Sequence, residues 1–193
     1  MAKALKKALH AKTPRPTLGG VEFEGFAHVA ECAPVGMILL RAKFDVAGLA
    51  DAVKMAVGVD LPTRGQILQN KGQGAAWMSP DEYLLILAYN DVSTTLAAFN
   101  KALAGSHILA IDVSDARAVF DVTGLKAAQV LTKLCPVDLS NFDKGHIRRT
   151  RAAQVAVAFW REGMGFRLVC FRSVAGYVMG LLTHSAQEGS ELA

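Results

Sequence analysis

The chain has 193 residues, 52% of them hydrophobic and 20% charged, with a formal net charge of +4; this composition excludes bulk disorder and leaves enough length to bury a real core. Its longest apolar runs, such as VGMILL and VAVAFW, fall far short of the roughly twenty residues that a bilayer-crossing helix requires. Cys32, Cys135 and Cys170 are too few and too widely spaced for a disulfide framework, and no apolar stretch follows the basic N-terminus as a secretory signal would demand, so a cytoplasmic protein is expected.

Residues 1–20 carry Lys3, Lys6, Lys7, Lys12 and Arg15 beside two prolines and a glycine pair, which predicts a flexible basic arm, either a solvated terminus or one able to gain structure on a partner. Without it the remaining chain is nearly neutral. A first half, 21–106, opens with GMILLRAKF as a strand, and Leu49, Val53 and Val57 then recur at helical spacing from Gly48. QILQ reads as a short strand between glycine turns, Pro80 starts a turn, and EYLLILA is the next strand. Leu96, Phe99 and Leu103 share one helical face, and HILAIDV closes the unit. The predicted order is strand-helix-strand-strand-helix-strand.

The second half, 107–193, can begin with HILAIDV and RAVFDV, followed by a helix through Leu125, Ala128, Leu131 and Leu134 and a turn at Pro136. AAQVAVAFW, 152–160, is apolar on both alternating faces apart from Gln154, which predicts a strand covered on both sides. GFRLVCF is its hairpin partner across REGMG, and a last helix presents Val174, Tyr177, Val178, Leu181 and Leu182 before ending near Gly189. Words repeat with the elements: FDVAGLADAVKMAVGVDLP from Phe44 returns as FDVTGLKAAQVLTKLCPVDLS from Phe120. The fold class expected is therefore α+β, with two tandem ferredoxin-like βαββαβ-type units packed as one compact body.

Chemistry-bearing constellations are sparse. His28 and Cys32 have no further metal ligands nearby, Lys71 to Gly74 reads as a hairpin turn rather than a phosphate loop, and Asp81 and Glu82 point in different directions. No catalytic, cofactor-binding or metal residue is assigned. Arg148, Arg149 and Arg151 enter an apolar strand, with Arg149 and Arg151 on one face and Arg148 opposite. They fit either a solvated sheet edge or contacts to acidic groups of a partner. Arg172 precedes the last helix, where it can reach a carboxylate while Ser173 caps the helix. These four arginines are the candidate partner contacts. Nucleic acid is disfavoured, because no aromatic residues are interleaved with the charges.

Four segments together resemble the gamma subunit of heterotetrameric sarcosine oxidase, a relative of the aminomethyltransferase (glycine-cleavage T-protein) fold. They are Trp77 to Leu85, where the family has Trp-Leu-Gly-Pro-Asp-Glu-Trp, Asp112 to Gly124, Val130 to Ser140 and Phe166 to Ala186. Met78, Ser79 and Tyr83 depart conservatively from that pattern. The resemblance spans about Gly36 to Ala186 and implies the fold of the T-protein folate-binding domain. It also implies a non-catalytic subunit of a complex that oxidises sarcosine to glycine, yields hydrogen peroxide and passes the one-carbon unit to tetrahydrofolate. By the same resemblance the alpha and beta subunits bind FAD, FMN and NAD, a delta subunit carries zinc, and gamma packs mainly on alpha. Two alternatives stand beside it: a standalone folate or pterin-binding protein, and the gamma subunit of a related N-methyl amino acid oxidase.

Overall fold

The computed structural model describes residues 14–192. Of the arm's cations only Arg15 is placed, and Lys3, Lys6, Lys7 and Lys12 lie outside the described residues. Among the described residues eleven strands form two wholly antiparallel sheets. The five-stranded sheet runs, in spatial order, β4 (Ile67–Asn70), β5 (Gln73–Ser79), β6 (Glu82–Leu87), β3 (Gly36–Arg41) and β7 (Leu109–Asp112). The six-stranded sheet runs β1 (Glu22–Phe23), β2 (His28–Glu31), β8 (Arg117–Thr123), β11 (Gly165–Phe171), β10 (Val155–Glu162) and β9 (Ile147–Ala152). Four α-helices complete the described residues: α1 (Leu49–Val57), α2 (Val92–Ala102), α3 (Ala127–Leu134) and α4 (Ala175–Ser185). None is long and apolar enough to cross a membrane.

Three apolar layers hold these elements. Leu49, Val53 and Val57 of α1 and Phe99 of α2 bury against Ile38, Leu40 and Leu85 on one face of the five-stranded sheet. Val130 and Leu131 of α3 and Val178 and Leu182 of α4 do the same against Phe120, Val122 and Leu168 of the other sheet. The two remaining sheet faces close on each other, with Met37, Leu84 and Ile86 meeting Val119, Ala158, Trp160 and Val169. Helices lie outside and sheets inside, so the second face that a half-covered sheet must satisfy is satisfied by its duplicate.

Several expectations hold in detail. The helical faces through Leu49, Val53 and Val57 and through Phe99 and Leu103 are buried, and β10 and β11 pair as a hairpin from Val157↔Cys170 to Glu162↔Gly165. Lys71 and Gly72, both at positive φ, form the two-residue turn between Asn70 and Gln73, the hairpin expected there.

Other expectations are corrected. The halves carry more strands than the six-element order: the first adds β1 and β2 ahead of GMILLR and β5 between QILQ and Pro80, and the second adds β9 ahead of β10. Stretch 152–160 is not one strand: Ala152 ends β9, Ala153 turns the chain at φ 48 with Gln154, and Val155 opens β10. Leu125 is 92% exposed because α3 starts only at Ala127. Ser173 caps nothing, as it sits inside a short 3-10 turn, Arg172–Val174, and α4 begins without a side-chain cap.

The sheets also cut across the expected boundary at 106/107. β7 follows that boundary yet pairs with β3, from Ile38↔Asp112 to Arg41↔Leu109. β2 precedes β3 yet pairs with β8, from His28↔Thr123 to Glu31↔Phe120. The first half thus lends its leading strands β1 and β2 to the second half's sheet, and the second half lends β7 to the first.

Candidate partner interface

The four candidate arginines do not form one cluster. Arg148, exposed on β9, lies opposite Phe159, which is buried in the helix-side core, so it belongs to the outer sheet face. Arg149 and Arg151 share the inner face with buried Ile147, as the two-residue strand period requires. Arg172 lies apart, in a cleft of about 20 Å³ lined also by Arg15, Glu31, Ser114 and Asp115.

Arg149 is engaged within the chain. Its Nη1 donates to Glu82 Oε2 at 3.2 Å, joining the two sheets. Glu82 is a largely buried carboxylate at the start of β6, and Arg41 Nη1 approaches the same oxygen at 3.9 Å. Arg41 Nη2 also donates to Asp81 Oδ2 at 2.7 Å, and that guanidinium holds the Asp81 carboxyl below its ordinary range. Asp81 and Glu82 diverge as expected, yet Arg41 touches both.

A third arginine completes the group. Arg117, at the start of β8, lies with Cζ 4.0 Å from the centre of the Phe171 ring. Burial pushes its guanidinium pKa down, with Glu82 opposing that shift. Arg117 and Arg149 line a cleft of about 40 Å³ between the sheets with Leu39, Met78, Glu82 and Phe171. Beside it, Leu109 stands opposite Arg41 and Ile111 opposite Leu39 on the same sheet face.

The opposite side of the seam is shut. Ile67 N–H donates to Gly145 O at 2.8 Å and Ile147 N–H to Gly65 O at 2.9 Å, lacing β4 to β9. Within the sandwich Arg167 Nε and Nη2 donate to the two Asp121 oxygens at 2.8 Å each, a bidentate pair. Nearby Cys32 has its thiol pushed up to about 12, by burial first and by Asp121 second. Arg41, Glu82, Arg117 and Phe171 are absent from the sequence-based site. Alternation along GMILLR places Arg41 with Leu39, but only the strand register shows that Glu82 and Arg149 meet there.

Residues 42–188 match the sarcosine oxidase gamma subunit family. A sarcosine oxidase subunit gamma from Arthrobacter sp. is 32% identical over 143 residues, covering 72% of this chain and 69% of that protein. A chain of the heterotetrameric sarcosine oxidase from Corynebacterium sp. U-96, solved in complex with pyrrole 2-carboxylate, is similar with a TM-score of 0.77 and 29% identity over 86% of this chain and 87% of that one. The glycine cleavage system aminomethyltransferase T from Bartonella henselae shares the fold at a TM-score of 0.61 and 16% identity, over 82% of this chain and 45% of that one.

Proposed function

Since the chain belongs to the sarcosine oxidase gamma subunit family, we propose that it serves as a non-catalytic subunit of a cytoplasmic heterotetrameric sarcosine oxidase. The complex demethylates sarcosine oxidatively to glycine, produces hydrogen peroxide and delivers the one-carbon unit as 5,10-methylenetetrahydrofolate. One observation carries this reading: the likeness to a chain of such an assembly runs over nearly the full length of both chains, 86% and 87%. A match of that extent favours the same place in a similar assembly over a shared motif grafted on another fold.

In this reading the alpha subunit is the direct partner, beta and delta complete the complex, and FAD, FMN, NAD, tetrahydrofolate and zinc reside on those other subunits. The two halves are ferredoxin-like βαββαβ-type units extended by the added strands β1, β2, β5 and β9, and the T-protein likeness bears on fold alone. The organisation of this chain supports a scaffolding role. Both sheets spend one face on helices and the other on each other, and burial raises the thiols Cys135 and Cys170 to about 11 and about 12, which makes them poor nucleophiles.

Co-expression of the chain with the alpha, beta and delta subunits tests the proposal. The expected result is a yellow assembly containing the chain and releasing hydrogen peroxide on addition of sarcosine, with no such activity from the isolated chain. A preference for another N-methyl amino acid would move the assignment to a related oxidase. A colourless solitary chain that binds folate or pterin by itself would overturn the proposal.

A further inference from the structure

We infer that the open end of the inter-sheet seam is a partner-binding surface, and that the alpha subunit seats there an extended segment bearing a carboxylate beside an apolar side chain. The inference rests on the subunit reading above. The seam is packed at its centre by Met37, Ile86, Val119 and Val169 and laced shut along β4 and β9. It opens where Arg117 faces Phe171 across β8 and β11 and where Leu109 and Arg41 face each other across β7 and β3. The apolar lining reaches the surface there, with Phe171 48%, Leu109 49% and Ile111 39% exposed.

Charge identifies the occupant. Arg41, Arg117 and Arg149 edge this opening, Arg151 follows Arg149 two residues along the same inner face of β9, and the Asp81 and Glu82 carboxylates there are already held, Asp81 by Arg41 and Glu82 by Arg149 and Arg41. Arg117 and Arg151 form no ion pair with a described carboxylate. Arg117 has lost part of its hydration against Phe171, and a carboxylate that reached its planar fork would replace that water with two parallel hydrogen bonds. β7 supplies the path: among the described residues it is the terminal strand of its sheet and pairs only with β3, so its outer edge offers backbone groups to an added strand. Leu109 and Ile111 on that strand face the seam side, and an arriving segment would cover them.

The test uses the complex assembled from full-length chains. Arg151→Glu and Ile111→Glu are compared with wild type and with Arg148→Glu, which alters the outer face of the same sheet. Each variant is first confirmed as folded by its melting transition, and Arg151→Ala with Leu109→Ser stand in for any that is not. The expected result is a loss of affinity of about tenfold or more for the seam variants, an Arg148→Glu complex like wild type, and a salt dependence that weakens in Arg117→Gln. Wild-type assembly matched by folded seam variants overturns the inference and leaves the subunit reading intact, whereas failure of wild type to assemble overturns the reading itself. Protection of the seam by inorganic phosphate, with assembly indifferent to these variants, would assign the opening to a small anion and overturn the inference.

Discussion

Cys32, Cys135 and Cys170 share a direction of shift: burial holds each thiol protonated, at about 12, 11 and 12 against an ordinary 9.0. Native protein at pH 8 should therefore react with iodoacetamide far more slowly than protein in denaturant, and rapid native labelling of all three would contradict this burial. The same shift sets a pH dependence. Between about 9 and 11–12 the unfolded chain has released thiol protons that the folded chain still holds, so the unfolded state binds fewer protons and stability falls as pH rises through that window. Below pH 9 the contribution is fully present. Urea midpoints should decline above pH 9, and Cys170→Ala should make that decline shallower. The buried character of Cys135 and Cys170 was legible from their apolar neighbours. The proposed partner site was legible only in part: strand alternation put Arg149 with Arg151 on one face, but the Glu82 that Arg149 meets lies 67 positions away. A pair of that separation is fixed by how two sheets stack, which no local pattern encodes.

Local chemistry fixed elements best where turn and period agreed. α1 follows from Leu49, Val53 and Val57 between left-handed glycines 48 and 58, and the hairpin at Lys71–Gly72 follows from Gly72, which takes its positive φ without a side-chain clash, although Lys71 beside it is also left-handed. The 152–160 stretch fails for the converse reason. Ala153 is an unremarkable letter in an apolar run, yet it adopts φ 48 and anchors its turn by donating its N–H to Leu134 O at 2.9 Å. The repeated words mislead similarly, since Phe120 lies fully buried in β8 opposite Leu168 while Phe44 is 75% exposed in the turn before α1. Letter identity there reports common turn chemistry more than equivalent position. A left-handed alanine is strained by roughly 1–2 kcal/mol, which glycine relieves at some cost in unfolded-chain entropy. Ala153→Gly should retain the Leu134 hydrogen bond and raise stability by about 0.5–1 kcal/mol, read as a higher urea midpoint at unchanged slope. A lower midpoint would show that the alanine methyl contributes packing that outweighs the strain.

At the scale of the whole molecule, the exchanged leading strands decide whether the halves are independent. A cut at 106/107 leaves the first fragment without β7, baring the edge of β3, and leaves the second without β1 and β2, baring the edge of β8. The second fragment also carries β7 with no strand to pair, and each fragment exposes the inner sheet face that Met37, Leu84 and Ile86 share with Val119, Ala158 and Trp160. Moving the cut to 113/114 returns β7 to the first fragment but still withholds β1 and β2 from the second. Neither half then keeps a sheet with both faces and both edges satisfied, and burial of the central layer must be won by both together. The intact chain is accordingly expected to melt in one cooperative transition. Fragments 1–106 and 107–193 should each lack such a transition and recover it when refolded together at equal concentration, as followed by circular dichroism. If 107–193 alone melts cooperatively, the borrowed strands are decoration on an autonomous unit, and the exchange is no longer what binds the two halves into one body.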